Sequence, residues 1–497
     1  MSPGNSSTDK TFKPPTSGVS VRMYNPGFGD CLLLAFRGND GQARYMLIDC
    51  GVHHQYPDRQ QRLQQVAADI AAATNHHLHL VVATHEHTDH LSGFDYARGV
   101  FDTIDMDDLW MAWTEDPNDT VAQQLKNRSK KAAQALTAVV HRLDSHKDLL
   151  GVALRGVLEF EYAEKKSGTL EYLRNKSKKK LERSEDYRRP GEVLTLPEVE
   201  GVKIYVLGPP RDNKEYLNIV DDEGQLYPEL RALKGWDDFA FAVLGAGAGE
   251  PSDEATRALE QIDSPFDPTL IITPENAEVD EDFGEFFRSS YGFNKTEKEG
   301  PEWRRIECDW LGTAEQLALK LNNYTNNTSL VLAIELTETQ PRKVLLFAAD
   351  AQAGNWLSWR DLFWRGAGED GKDLRVEDLL RRTVFYKVGH HGSRNATLSE
   401  KGLELMASPD LAAMIPVDER WAYARKPQPW QHPARTLLSK LTARAKGRIL
   451  RSDKIPKGDQ PPPKPDGIAA AEWNAFVQQL DWDRSPERLW VQFTITA

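Results

Sequence analysis

Between His85 and His90 the chain reads His-Glu-His-Thr-Asp-His, three imidazoles and a carboxylate within six residues, reached directly from the short apolar, β-branched run 79–84. Neutral imidazole and carboxylate are the ligands that zinc and related divalent cations take in open catalytic sites. A strand ending in such a turn can aim His85 and His87 at one cation and Asp89 and His90 at a second. Isolated histidines carry no such weight, and His76, His77 and His79 read as ordinary surface or core residues.

The surrounding pattern is α/β. Residues 19–24 and 31–36 read as strands joined by the turn Asn25-Pro26-Gly27-Phe28-Gly29-Asp30, and 44–49 as a third strand ending at Cys50-Gly51, the start of a β-meander. Leu63, Val66, Ala67, Ile70 and Ala71 recur at helical spacing and predict a helix over 60–73. Further on, strands are expected at 202–207, 329–336, 343–348, 384–388 and 489–496, helices at 314–321 and within 373–382, and an exposed Pro-rich loop at 460–465. Residues 1–18 read as a flexible leader before one domain, 19–497, interrupted by a basic helical insertion at about 116–192 and a second insertion at about 211–301.

Charge bears on the partners. A net charge of -13 over 497 residues opposes a polyanion, yet residues 121–190 hold 17 Lys+Arg against 9 Asp+Glu, so a local basic surface is expected within the acidic average. The longest apolar runs are strand-sized and the first twenty residues lack a secretory apolar core, which predicts a cytoplasmic protein with no membrane span. Cys31, Cys50 and Cys308 are odd in number and lack C-x-x-C spacing, so they read as reduced thiols and not as a disulfide framework or zinc ribbon.

Motifs spread from about residue 20 to 395 resemble the metallo-β-lactamase superfamily, and within it the soluble relatives of the hydrolase domain of the ComEC competence protein. They are Gly27-Phe28-Gly29-Asp30, Leu47-Ile48-Asp49-Cys50-Gly51, the His85–His90 turn followed by Leu91-Ser92-Gly93, Val206-Leu207-Gly208-Pro209-Pro210, Asn326-Asn327-Thr328-Ser329-Leu330-Val331-Leu332, Phe347-Ala348-Ala349-Asp350-Ala351 and Lys387-Val388-Gly389-His390-His391-Gly392-Ser393. The resemblance implies a four-layer αβ/βα sandwich with helical insertions. It implies metal ligation by His85, His87, Asp89, His90, Asp350 and His390, with Asp350 bridging two cations. His391 is the alternative last ligand, and the unused member of the pair could donate to a substrate oxyanion; Asp89 and His391 are the candidate catalytic groups. Asp30 and Asp49 would orient the metal-bound histidines or simply cap turns, and Asn327, Ser329 and Ser393 would face the substrate. Many members supply a further histidine near 327–329, and this chain has none there, which opens the first metal position.

The expected cofactors are two divalent cations, zinc first and manganese as the alternative. The expected activity is hydrolysis by a metal-activated water, on a phosphodiester or nucleic-acid substrate. Small esters, lactones or thioesters, or a metal retained in a non-catalytic regulatory module, are the alternatives. Trp110, Trp113, Trp356 and Trp359 could stack on bases, although packing is the ordinary role of such residues.

Overall fold

The structure, a computed structural model, describes residues 12–131, 168–213, 216–217, 219, 279, 282–291, 324–425 and 429–496. Two seven-stranded sheets form the main body. In the first, the meander β1 (Gly18–Tyr24), β2 (Cys31–Arg37) and β3 (Ala43–Cys50) is antiparallel, and β4 (His77–Ala83) and β5 (Asp105–Met111) then add in parallel beside β3. The strands β15 (Leu480–Trp482) and β16 (Trp490–Thr496) close its other edge, β16 pairing with β1. The second sheet repeats this plan. The antiparallel run β6 (Val193–Leu194), β7 (Val202–Gly208), β8 (Val331–Leu336) and β9 (Lys343–Phe347) is followed, after the separate two-stranded pair β10 (Phe363–Trp364) and β11 (Leu374–Arg375), by parallel β12 (Thr383–Lys387), β13 (Ala412–Ile415) and β14 (Ile449–Arg451).

Period-two alternation explains how the layers stack. Val19, Val21, Leu32, Leu34, Met46 and Ile48 of the first sheet share one apolar cluster with Ile204, Val206, Leu332, Ile334, Leu345 and Phe347 of the second, so the sheets meet face to face. The opposite face of the first sheet, through Leu33, Leu47 and Val81, packs on helices α1 (Arg59–Ala73) and α2 (Thr88–Tyr96). That of the second, through Leu346 and Tyr386, packs on the helices Ala353–Ser358, Val376–Arg381 and Arg435–Arg444. Each fully buried Leu, Ile or Val contributes roughly 1.5–3 kcal/mol, so three clusters of this size fix the strand register. A one-residue slip would turn each buried set outward.

Contacts group Met1–Leu125, Phe160–Leu226 and Asn323–Ala497 into one compact unit and Lys126–Glu159 with Tyr227–Asn322 into another, which includes the helix Gly284–Tyr291. Of the expected first insertion, 116–192, residues 126–159 group with the second unit and the remainder with the first. The helix Thr169–Lys176 and Tyr187 bury Leu173 and the tyrosine ring in the first sheet's outer cluster, beneath a charged exterior that hid them in the sequence. Within the expected leader, 1–18, Phe12 is buried and its carbonyl accepts the Tyr45 hydroxyl at 2.8 Å. The expected helix at 314–321, the bulk of the second insertion and Cys308 lie outside the described residues. Cys31 and Cys50 are buried free thiols facing each other across β2 and β3. No helix among the described residues is long and apolar enough to cross a membrane.

Candidate metal centre

The ends of β3, β4, β9 and β12 deliver their following residues to one place. Asp49 closes β3, His85–His90 follows β4, Asp350 follows β9, and His390 and His391 follow β12. Asp30 enters from the turn before β2, where Cys31 pairs with Cys50. Chain segments come very close here. A Cβ on Gly51 would stand 2.4 Å from the His90 backbone nitrogen, and one on Gly29 would stand 2.3 Å from the Gly51 carbonyl oxygen, so both positions require glycine. The Asp30 amide donates to the Asp89 carbonyl at 2.8 Å, and the Gly51 amide donates to the Asp30 carbonyl at 2.9 Å. Four non-glycine residues at this junction, Asp49, Ala349, His390 and His391, have φ between 44° and 56°. Such left-handed backbone costs of order 1–3 kcal/mol per residue and persists where the surroundings over-determine it.

Two overlapping sets of side chains have the spacing of metal ligands: Asp30, His90, Asp350 and His391, and His85, His87 and Asp350. Asp350 belongs to both. His85 Nε2 lies 3.0 Å from His87 Nδ1, His90 Nε2 lies 3.2 Å from Asp350 Oδ2, and His391 Nε2 lies 2.8 Å from Asp89 Oδ2. Nitrogens about 2.1 Å from a tetrahedral zinc stand roughly 3.4 Å from one another, close to these separations.

The hydrogen bonds around the rings fix which nitrogen faces inward. His90 donates from Nδ1 to Asp49 Oδ2 at 2.7 Å, and Asp49 is held by the Thr84 hydroxyl at 2.6 Å and the Thr84 amide at 2.9 Å. His391 donates from Nδ1 to the Pro416 carbonyl at 2.7 Å. Both rings therefore turn Nε2 toward the carboxylates, the arrangement by which a carboxylate or carbonyl orients a metal-binding imidazole. Asp30 Oδ1, Asp89 Oδ1, His90 Nε2 and Asp350 Oδ2 are fully buried and make no hydrogen bond. Leaving such atoms unsatisfied costs about 1–3 kcal/mol each, more when charged. A His/Asp donor set with four inward-facing orphan atoms fits divalent cations.

Four carboxylates, Asp30, Asp49, Asp89 and Asp350, share this interior. Burial opposes the charged form of Asp350, but the rings of His90 and His390 outweigh it and hold the carboxyl well below its ordinary value. Asp89 is likewise held low against burial, by the His391 hydrogen bond and the charge of His90. Burial also opposes charge on His90 and His391; the carboxylates of Asp350, Asp30 and Asp49 raise His90 well above an ordinary imidazole, and Asp89 raises His391. His85, buried beside His90 and His87, is pushed far down, and burial lowers His390 to about 4.

Lys387 is the group that sequence reasoning left without a role. Its ammonium is buried, pairs with Asp30, donates to the Ala349 carbonyl at 2.8 Å and lies 3.7 Å from Asp350 Oδ1. Its signal in the sequence was a lysine closing a largely apolar strand at the head of the 387–393 motif.

Several expected roles shift. His391, and not His390, sits within ligand distance of Asp30, His90 and Asp350. The left-handed turn at both residues swings the second ring inward and leaves His390 at the rim, its Nδ1 held by Ser393 Oγ at 3.0 Å and by Gln352 Nε2 at 3.3 Å, its Nε2 3.9 Å from Asp350. Ser393 thus supports His390. Asn327 is engaged with backbone instead of open space, donating to the Ile219 carbonyl at 2.9 Å and accepting the Gln352 and Asn355 amides. Ser329 Oγ accepts the Asp350 amide at 3.2 Å and so positions the shared carboxylate. Trp110, Trp113, Trp356 and Trp359 are all buried and pack the core, unavailable to bases. Of the basic stretch, Lys178 and Lys179 pair with Asp107 and Asp108 of β5, and Lys180 donates to the Asn175 and Ser177 carbonyls.

Compared with protein families, curated proteins and solved structures, the chain matches none.

Proposed function

We propose that the chain is a metal-dependent hydrolase of the metallo-β-lactamase type, acting on a phosphodiester, with the αβ/βα four-layer sandwich as its architecture. The observation that carries this reading is the pair of His/Asp groups sharing Asp350, drawn from loops at matching strand ends of two sheets built on one plan. The motif resemblance to the ComEC hydrolase domain supports it.

His85, His87 and Asp350 would hold one cation, and Asp30, His90, His391 and Asp350 the other, with Asp89 beside His391; zinc or manganese fits both. When bound, such a pair supplies Lewis acidity that lowers the pKa of water towards neutrality and neutralises charge on phosphoryl oxygens. The chain's own residues do the rest. Asp49 and the Pro416 carbonyl fix the ring orientations of His90 and His391, and Lys387 offsets surplus carboxylate charge. His390, at the rim and neutral at physiological pH, has its Nδ1 beside Ser393 and Gln352, which leaves Nε2 as the nitrogen able to donate to an oxygen of the substrate.

The test is turnover of bis(p-nitrophenyl) phosphate, a lactone and a thioester by zinc- or manganese-loaded protein, beside His90→Ala. Phosphodiester hydrolysis at least about 10²-fold above that of the variant is expected. Preference for the lactone or thioester would replace the substrate class, and equal rates in wild type and variant would remove the catalytic assignment.

A further inference from the structure

Of the side chains gathered at the centre, His390 reaches solvent, 19% exposed, whereas those of His90, His391, Asp30 and Asp350 are at most 1% exposed. The approach to the centre therefore runs past His390, and what borders it there is aromatic. The ring of His432 lies 5.5 Å from His390 and 6.2 Å from Trp430. Phe28 lies 4.2 Å from the His391 ring and 5.1 Å and 5.8 Å from Trp421 and Trp430, so aromatic surface continues from the buried centre outward. Trp421 and Trp430 meet edge to face at 5.7 Å and 83°, and both are only half-buried. The Arg425 guanidinium lies 4.6 Å over Trp421 and 5.5 Å over Trp430, donates from Nη2 to the Gln55 side-chain oxygen, and keeps a buried Nε without a hydrogen-bond partner.

Two half-buried indoles carrying a cation are more than core packing requires. A small neutral ester or lactone gives the guanidinium nothing to pair with. A planar heterocycle attached to an anionic phosphodiester uses every part: ring faces stack on indole and guanidinium, and the cation favours the adjoining phosphate. These tryptophans, unlike the four buried ones, keep part of their surface open while packing against Phe28 and His53.

We propose that Trp421, Trp430 and Arg425 form a stacking subsite for the unpaired base of a nucleoside phosphodiester whose phosphate lies at the His/Asp centre. This rests on the phosphodiester reading above. A single-stranded oligonucleotide and a cyclic mononucleotide share this chemistry, and the test separates them.

The experiment measures binding of zinc-loaded protein to a fluorescein-labelled phosphorothioate oligodeoxythymidylate, to a backbone-matched abasic oligomer and to a cyclic mononucleotide, by anisotropy and calorimetry. The base-bearing oligomer should bind about tenfold or more tightly than the abasic one. Trp430→Ala and Trp421→Ala should abolish that preference, leaving abasic binding unchanged, and Trp430→Phe should retain most of it; Arg425→Gln should weaken both oligomers. Binding of the cyclic mononucleotide alone, with the same tryptophan dependence, would keep the subsite and assign it to small nucleotides. Equal affinity of the wild type for base-bearing and abasic oligomers without such cyclic nucleotide binding, or a preference that survives in Trp430→Ala, would overturn it. If bis(p-nitrophenyl) phosphate is still hydrolysed in that case, only the subsite falls.

Discussion

Lys387 shows how single residues set the character of the centre. A buried ammonium facing Asp30 and Asp350 is stable only because those carboxylates are there, and they in turn are left uncompensated without it. Removing one partner of such a buried pair costs roughly 3–5 kcal/mol. Lys387→Met should therefore destabilise metal-free protein by about that amount in urea denaturation, with divalent cation restoring part of the loss; an unchanged midpoint would show that the ammonium does not balance the carboxylates. Residue-level legibility was uneven. His85, His87 and His90 were readable as candidate ligands because ligand-type side chains crowded into one turn repel or desolvate one another unless a cation sits among them, whereas the carboxylate at ligand spacing from His90 beside Asp350 is Asp30 and not Asp89. The choice between His390 and His391 was not, because it depends on left-handed backbone at two consecutive non-glycine residues. Asn327 and Ser329, expected at the substrate, accept backbone amides, a role that looks the same in sequence as facing a ligand.

At the scale of elements, the centre exists because loops leaving four strands approach closer than side chains allow. Gly51 is the tightest of these contacts to the histidine turn, with its virtual Cβ 2.4 Å from the His90 amide nitrogen. Gly51→Ala should force α2 away from the end of β3, cost about 3 kcal/mol or more and lower metal affinity, read by thermal unfolding and metal titration; wild-type stability with full metal affinity would show that the loops are free to separate. The strands carrying the motifs were legible, since alternating or continuous apolar runs of β-branched residues bounded by Gly, Pro and Asp mark strands well. β5 was missed because Asp105, Asp107 and Asp108 interrupt its apolar pattern, and β13–β15 because three or four residues carry too little periodicity. The aromatic group at the rim was equally hidden: Trp421, Trp430 and Phe28 come from distant segments and only the fold unites them.

For the whole molecule, two sheets of the same plan each bring an acidic strand end and a histidine turn to a shared edge, and the electrostatics of that edge couples stability to pH and metal. In metal-free protein His90 and His391 are raised, so their contribution is complete below the ordinary histidine value of about 6.5 and is lost as pH rises through the raised values. His85 and His390, held neutral, act in the opposite sense but only below that value. Asp89 and Asp350 are depressed, so their contribution is present above about 3.9 and is lost at acid pH. From about pH 7 upward metal-free protein should lose stability, while metal affinity rises because fewer protons must be displaced. Thermal unfolding from pH 6 to 9, in chelator and in zinc, should give slopes that diverge; parallel curves would contradict the coupling. The convergence of both sheets on one pair of cations is tested most directly by elemental analysis of metal-loaded, desalted protein beside Asp350→Ala. Two cations per wild-type chain and fewer than one in the variant are expected, because the lost carboxylate serves both positions. Equal metal content in the two proteins, or a folded wild type that retains none, would contradict it.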